Sequence, residues 1–355
     1  MRKLTQTLLA FLLLVSGFVF GQSPGGISSG LIFWLKADAG TNTTINGQTV
    51  TSWADQTANG NDATSGDVPI YVIPSLNYNP SIYLDGASRF SMGNNGNINT
   101  SLFTQKSYSI VFKTGGDITT RQLLYEEGGG THGLNLYIEN GLLYSNLWVS
   151  SADNAGSVSI DTLSEYIFTY VYNGSSARWD AYLNGSLAST DLSAPGNLPA
   201  HSGGIGIGAI NGATQYNGNN DVGSGDNFTG HIMEMAYYTA KALSTTERQK
   251  VESYLAIKYA ITLSGDYYAG GGSTKVWDAT ANSGYNTRVT GIGYQTNSSL
   301  NQKQSGSELS ERLLSIGLGS IASDNPSNSN SFVANNTFML WGDNGGDLTF
   351  RTGGA

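Results

Sequence analysis

Cysteine is absent from the 355-residue chain. That excludes disulfides, Fe–S clusters, cysteine-based zinc sites, thiol nucleophiles and a lipid anchor on an N-terminal cysteine in one step. Charge is scarce as well. Charged residues make up 12% of the chain, about half the usual ~25%. The balance is acidic, with a formal net charge of −9. Phosphate binding needs a basic face, so this argues against a nucleic-acid partner. No run of like charges occurs; the acidity is spread thinly and serves solubility. The enrichment in Ala, Glu, Lys, Leu and Arg that marks bundles and coiled coils is missing. Disorder is excluded too, because 39% of the residues are hydrophobic and 11% aromatic, enough to build a core.

What is present points to short strands and turns. Glycine supplies 47 residues, near twice the usual ~7%. Tyr, Ile and Val are mixed with Asn, Ser, Thr and Gly throughout. The N-terminus reads as a secretory signal peptide over residues 1–21. Arg2 and Lys3 form its positive end, residues 8–20 its apolar stretch, and Val19 and Gly21 the small-residue cleavage site before Gln22. The stretch is too short to span a bilayer, and no later segment is long and apolar enough. The expectation is an exported, soluble chain from Gln22, secreted or attached to the cell surface through sequence beyond Ala355.

Strand signals fall at 31–37, 70–73, 82–84, 108–112, 122–125, 134–138, 142–148, 166–172, 178–183, 205–210 and 231–238. Asn140-Gly141, Asn173-Gly174 and Asn184-Gly185 read as hairpin turns. Strands at this spacing predict an all-β fold, an antiparallel sandwich or barrel. One helix is expected over 245–260. Ser244-Thr245-Thr246-Glu247 is a capping box, and Val251, Leu255 and Tyr259 recur every four residues. It would end a first domain, 22–263. After a glycine linker at 270–272, strand signals return at 275–277, 288–293, 313–318 and 337–341. They predict an incomplete second β domain over 264–355.

Several stretches resemble one known group. Leu35-Lys36-Ala37-Asp38-Ala39-Gly40 and Trp53-Ala54-Asp55-Gln56-Thr57-Ala58-Asn59-Gly60-Asn61-Asp62-Ala63 look like the opening of laminin-G-like, concanavalin-A-like jelly rolls of secreted Bacteroidetes-type surface proteins. Phe228-Thr229-Gly230-His231-Ile232-Met233-Glu234 resembles a strand near the end of such domains. Ser253-Tyr254-Leu255-Ala256-Ile257-Lys258-Tyr259 resembles the helix that follows it. Gly291-Ile292-Gly293 and Leu300-Asn301-Gln302-Lys303-Gln304-Ser305 resemble the uncharacterised β region usual after that. The resemblance implies a two-sheet antiparallel jelly roll with one C-terminal helix. Ala260 stands where a helix-ending Gly is usual.

Jelly rolls of this shape include glucanases, so a pair of catalytic acids is the competing expectation. A retaining glycosidase needs two carboxylates about 5–5.5 Å apart, and acids on one strand face need i, i+2 spacing. None of the 26 acids has another two residues away. Glu126 and Glu127 are adjacent and so point to opposite faces. Glu234 is expected to bond loop backbone beside Gly230. His132, His201 and His231 lack metal-ligand spacing and read as surface or strand-end residues. No G-x-S-x-G motif is present.

Calcium is the cofactor the loops suit best, since it takes about six to eight oxygens from carboxylates, amides and carbonyls. Asp55 and Asp62 in one loop, and Asp221 and Asp226 in another, are the candidate ligands. The competing role is the Asx turn. Tyr216 and Trp148 are candidate stacking platforms for sugar rings, with Asn219 for the hydroxyls. Trp53 reads as core. The expected function is therefore a non-catalytic secreted or surface protein that binds a glycan or another surface protein. The alternatives are a glycosidase or polysaccharide lyase on the same fold, and a structural module of a longer surface protein.

Overall fold

The computed structural model describes residues 22–150, 152–217, 219–223, 225–307 and 314–346, with the side chains of 152 and 219–223 left out. The expected leader lies outside them. Two eight-stranded antiparallel sheets face each other. The first runs, in spatial order, Ser186–Asp191, Arg178–Leu183, Glu165–Asn173, Gln105–Thr114, Thr229–Thr239, Asn79–Asp85 and Ile70–Leu76, with Leu31–Lys36 also on Thr229–Thr239. The second runs Ala152–Ser159, Leu142–Val149, His132–Glu139, Gln122–Gly128, Ile205–Ile207, Phe90–Met92, Ala63–Thr64 and Ser52–Trp53. This is the antiparallel sandwich that the strand pattern predicts, in the two-sheet form that the resemblance implies.

Turn chemistry explains the hairpins. Asn140-Gly141 and Asn184-Gly185 all take positive φ, which a two-residue turn needs to match the strand twist. Asn173-Gly174 behaves differently. Gly174 starts a short 3-10 turn, Gly174–Ser176, capped by the Asn173 side chain on Ser175 N–H, and Ala177 closes it at φ 49°. The Gly174 N–H donates to the Thr104 carbonyl at 2.7 Å, and Asn173 pairs with Arg178, so the turn takes in four residues where the sequence signal suggests two. Of the strands of six or more residues in the two sheets, Ala152–Ser159 and Ser186–Asp191 carried no clear signal. Both are edge strands of small polar residues, which bury too little to show a period.

The space between the sheets is filled by aromatics. Tyr108 stacks on Tyr170 at 5.3 Å and on Tyr237 at 6.0 Å, and Phe33 stacks on Tyr237 at 4.9 Å. Trp53 is fully buried against Phe90, as expected of a core residue.

The helix, α1, spans Thr245–Tyr259. Ser244 Oγ accepts from Glu247 N–H, and Glu247 Oε2 accepts from Ser244 N–H at 2.9 Å, completing the capping box. Ser244→Ala should lower stability by about 1 kcal/mol, read as a shift in the urea midpoint at unchanged slope. At the other end Ala260 takes φ 56°, so alanine fills the left-handed position without a glycine. Val251, Leu255 and Tyr259 are buried against Val111 and Ile167 on the outer face of the first sheet. Gly25 lets the N-terminal segment cross the helix; a Cβ there would stand 2.5 Å from the Lys250 backbone.

The described strands after residue 264 pack against α1. Trp277, Val289 and Leu300 share one hydrophobic cluster with α1 and with the same sheet face. Asn79 Nδ2 ties the regions together, donating to the Lys258 carbonyl at 2.7 Å and to Gln302 Oε1 at 3.0 Å.

Candidate functional site

Three groups of polar residues stand out. The first is a row across the outer face of the second sheet. Register pairs Glu126 with Asn135, Asn135 with Asn146, and Glu126 with Gly206 on its other side. Because strand side chains alternate, Glu126 faces outward while Glu127 faces the core. The row is not open. The hairpin formed by Gly212–Tyr216 and Asn219–Gly223 lies over it. Asn135 Nδ2 donates to Thr214 Oγ1 and to the Gln215 carbonyl, and Asn146 Nδ2 donates to the same carbonyl, all within 3.0 Å. Asn211 N–H donates to Glu126 Oε1 at 2.8 Å.

Glu126 is buried, and its Oε2 has no hydrogen-bond partner. Burial pushes its pKa up to about 8, against the opposing pull of the Asn211 N–H. At neutral pH the row therefore holds one neutral carboxyl and two amides.

The second group is an open cleft beside this row, at the loop edge. It has a volume of about 420 Å³ and is lined by Asp67, Gly86, Ala87, Arg89, Gly225, Asp226 and Asn227. Arg89 is fixed at its base. Its Nη1 donates to the Ile210 carbonyl at 2.7 Å, and its backbone N–H donates to Asp67 Oδ2 at 3.2 Å. Asp226 takes φ 51° and accepts from Leu123 N–H through its carbonyl at 2.6 Å, which turns the 225–227 loop into the cleft wall.

The third group is internal: Lys106, Glu127, Tyr125, Tyr237 and His201, between the sheets.

The candidate residues named from the sequence fare unevenly. Tyr216 is 1% exposed and packs on Tyr137 at 4.8 Å, with Leu123 and Ile210. Trp148 is fully buried, over Gly128 and Gly133, and its Nε1 donates to the Gly129 carbonyl at 3.0 Å. Neither is an open platform: each is an outward-facing ring roofed over by the hairpin or by its own sheet. Asn219 and Asp221 lie on the second arm of the hairpin, opposite Tyr216 and Thr214; their side chains fall outside the described residues.

Asp55 is saturated with donors. Its Oδ1 accepts from Trp34 N–H and Thr57 N–H, both at 2.9 Å. Its Oδ2 accepts from Thr57 Oγ1 at 2.7 Å and Asn61 N–H at 3.1 Å. Asp62 Oδ1 accepts from Asp55 N–H at 2.8 Å. A carboxylate facing four donors has no lone pair left for a cation, so this loop uses Asp55 as an Asx-turn anchor. Among the described residues no group of three or more His, Asp or Glu side chains could hold a metal ion. Asp226 lines the cleft.

Glu234 does not bond loop backbone near Gly230. Its Oε1 accepts from Trp34 Nε1 at 2.6 Å, and its Oε2 accepts from Lys258 Nζ at 2.7 Å and Tyr259 Oη at 2.9 Å. It pins α1 to the first sheet. His201 is buried rather than superficial, because its loop folds back over the end of the core. His231 bonds Ser81 Oγ through Nδ1 at 2.9 Å, and burial lowers its pKa to about 4. Glu126, Asn135 and Asn146 were missed as a group, since cross-strand register brings together residues nine to twenty apart in sequence.

Residues 247–355 match a family model described as a domain of unknown function, DUF8202. The match takes in α1 from Glu247 onward and the β region after it. No curated protein matches. Solved structures that resemble the fold include the botulinum neurotoxin serotype D binding domain, at 15% identity and a TM-score of 0.48, covering 68% of this chain and 54% of that one. The serotype G binding domain has 13% identity and a TM-score of 0.48, with the same coverage of both chains. The serotype D ligand binding domain in complex with N-acetylneuraminic acid has 15% identity and a TM-score of 0.48, covering 67% and 56%. The chain thus spans about half the length of these structures.

Proposed function

We propose that the chain is a non-catalytic, exported surface protein whose jelly roll binds carbohydrate in the cleft between Asp67, Arg89, Asp226 and Asn227. The observation that carries this reading is the mixed donor and acceptor set in one open cleft. Each sugar hydroxyl both donates and accepts, so an array of guanidinium, carboxylate and amide groups can satisfy it from both sides. The carboxylates supply acceptors, and Arg89 supplies rigid donors held in place by the Ile210 carbonyl.

The row beside the cleft supports binding over cleavage. Retaining hydrolysis needs a second carboxyl about 5–5.5 Å from the first. Here the cross-strand neighbours of Glu126 are Asn135 and Gly206. Calcium enters this reading as the loop at 217–226 suggested it, with Asp221 and Asp226 as its carboxylates. Its binding would stabilise the fold by about 2.7 kcal/mol at a hundredfold excess over Kd. Melting in EDTA and then in millimolar calcium should raise the midpoint, and an unchanged midpoint removes the metal from the reading.

The test of the main reading is a glycan-array screen of the mature chain, followed by Arg89→Ala and Asp67→Ala. Each variant should weaken binding at least tenfold while leaving the melting curve in place, since these side chains stand at the protein edge. One observation favours the structural-module alternative: both expected stacking rings, Tyr216 and Trp148, are buried. A screen with no glycan bound would leave that reading standing.

A further inference from the structure

The internal group has a geometry that binding does not use. Lys106 stands on Gln105–Thr114 in the first sheet, and Glu127 on Gln122–Gly128 in the second. Their side chains meet across the core, and neither has any solvent exposure. Lys106 Nζ touches Glu127 Oε1 and also donates to the Ile98 carbonyl at 2.6 Å. It lies 4.5 Å from the Phe103 ring centre and 5.6 Å from that of Tyr237. The other carboxylate oxygen, Oε2, accepts from Tyr237 Oη at 2.6 Å and Tyr125 Oη at 3.1 Å. His201 Nε2 is 3.5 Å from Oε1, and His201 Nδ1 is 2.8 Å from the Pro199 carbonyl.

We propose that Lys106 and Glu127 are joined by an amide bond that staples the two sheets. A dry ammonium–carboxylate pair carries the desolvation cost of two ions. A neutral amide carries neither, and a chain without cysteine has no disulfide to do the same work.

The surrounding groups fit the step. Burial draws the Lys106 ammonium down in pKa, against the pull of Glu127, toward the neutral amine that acts as nucleophile. Nζ adds to the Glu127 side-chain carbonyl carbon, forming the N–C bond. The negative charge that develops on Oε2 is held by the Tyr237 and Tyr125 hydroxyls, which already point at it. Oε1 receives the protons that Nζ gives up, with His201 as the relay beside it. The C–Oε1 bond then breaks and water leaves. Ammonium plus carboxylate becomes amide plus one water, with no oxidant, reductant or co-substrate. Fixed neighbours of this kind reach effective molarities of about 10⁵–10⁸ M, which drives condensation where water is excluded. His201 also lines a cleft of about 390 Å³ between the 129–132 and 200–203 loops, a way out for the water.

The test is the intact mass of the full chain after folding, measured in denaturant. The expected result is a chain one water lighter than its sequence. A protease digest should contain a branched peptide joining the Lys106 segment to the Glu127 segment. Lys106→Arg should restore the full mass, and Tyr237→Phe should slow the appearance of the lighter species at least tenfold in a refolding time course. A wild-type chain of full mass, with the two segments found as separate peptides, overturns the proposal. So does a water loss that persists in Lys106→Arg.

Discussion

Replacing Lys106 by methionine lowers the stability of the fold by about 3–5 kcal/mol, measured by chemical denaturation. Methionine keeps most of the volume, so the cavity left behind is small. The cost arises at Glu127. With no Lys106 to pair or condense with, its carboxylate stays bare in a place with no solvent exposure, with only the Tyr125 and Tyr237 hydroxyls for partners. An uncompensated buried charge is among the few single changes able to take away a large share of a domain's stability. Lys113→Met serves as the control. Lys113 pairs with Glu165, but its side chain is 32% exposed, and an ion pair in contact with water contributes about 1 kcal/mol or less. A Lys106→Met loss no larger than that of the control would mean that the core tolerates the bare carboxylate.

Glu126→Gln acts in the opposite direction, and its effect depends on pH. The carboxyl is held protonated in the fold, with its pKa raised from 4.5 to about 8 by burial. Below pH 4.5 the folded and unfolded chains are both protonated and the group contributes no pH dependence. Between pH 4.5 and about 8 the unfolded chain releases this proton and the folded chain keeps it. Stability therefore falls as pH rises through that window. Above about 8 the loss is complete, at most about 5 kcal/mol for a shift of this size. Glutamine has nearly the same shape and no proton to lose, and it can still accept the Asn211 N–H through its side-chain oxygen. The variant should match the wild type at pH 4 and exceed it by several kcal/mol at pH 8. Parallel stability curves for the two proteins from pH 4 to pH 9 would show that Glu126 titrates normally. The same measurement bears on chemistry, because a neutral carboxyl is a hydrogen-bond donor at pH 7 and not a nucleophile.

Much of the fold was legible because its signals are local. Asn140-Gly141 and Asn184-Gly185 demand positive φ at consecutive positions, and the chain turns there. The Ser244 capping box fixes the start of α1, and a four-residue apolar repeat gives its buried face. The adjacency of Glu126 and Glu127 was enough to place them on opposite faces, since the strand period is two. The residues that line the proposed cleft were less legible. Arg89, Asp67 and Asn227 sit on three separate loops with ordinary composition, and no spacing rule joins them. The Asp55 loop misled in a different way. Its oxygens look ready for a cation in sequence, but the backbone N–H groups of Trp34, Thr57 and Asn61 reach them first.

By itself, then, the sequence determined the fold class, the hairpins, the capped helix, the absence of disulfides and the lack of two acids at i, i+2 spacing along any one strand. All of these follow from local periodicity, turn preference and residue type. Tertiary structure alone decided which rings are hidden, which carboxylates are already satisfied, and which charges meet. Tyr216 and Trp148 read as exposed until the hairpin and the neighbouring strands close over them. Lys106 and Glu127 are 21 residues apart, on strands of different sheets, and meet because the sandwich stacks one sheet on the other. A contact of that kind depends on how two faces are laid together, and neither strand carries that information in its own sequence.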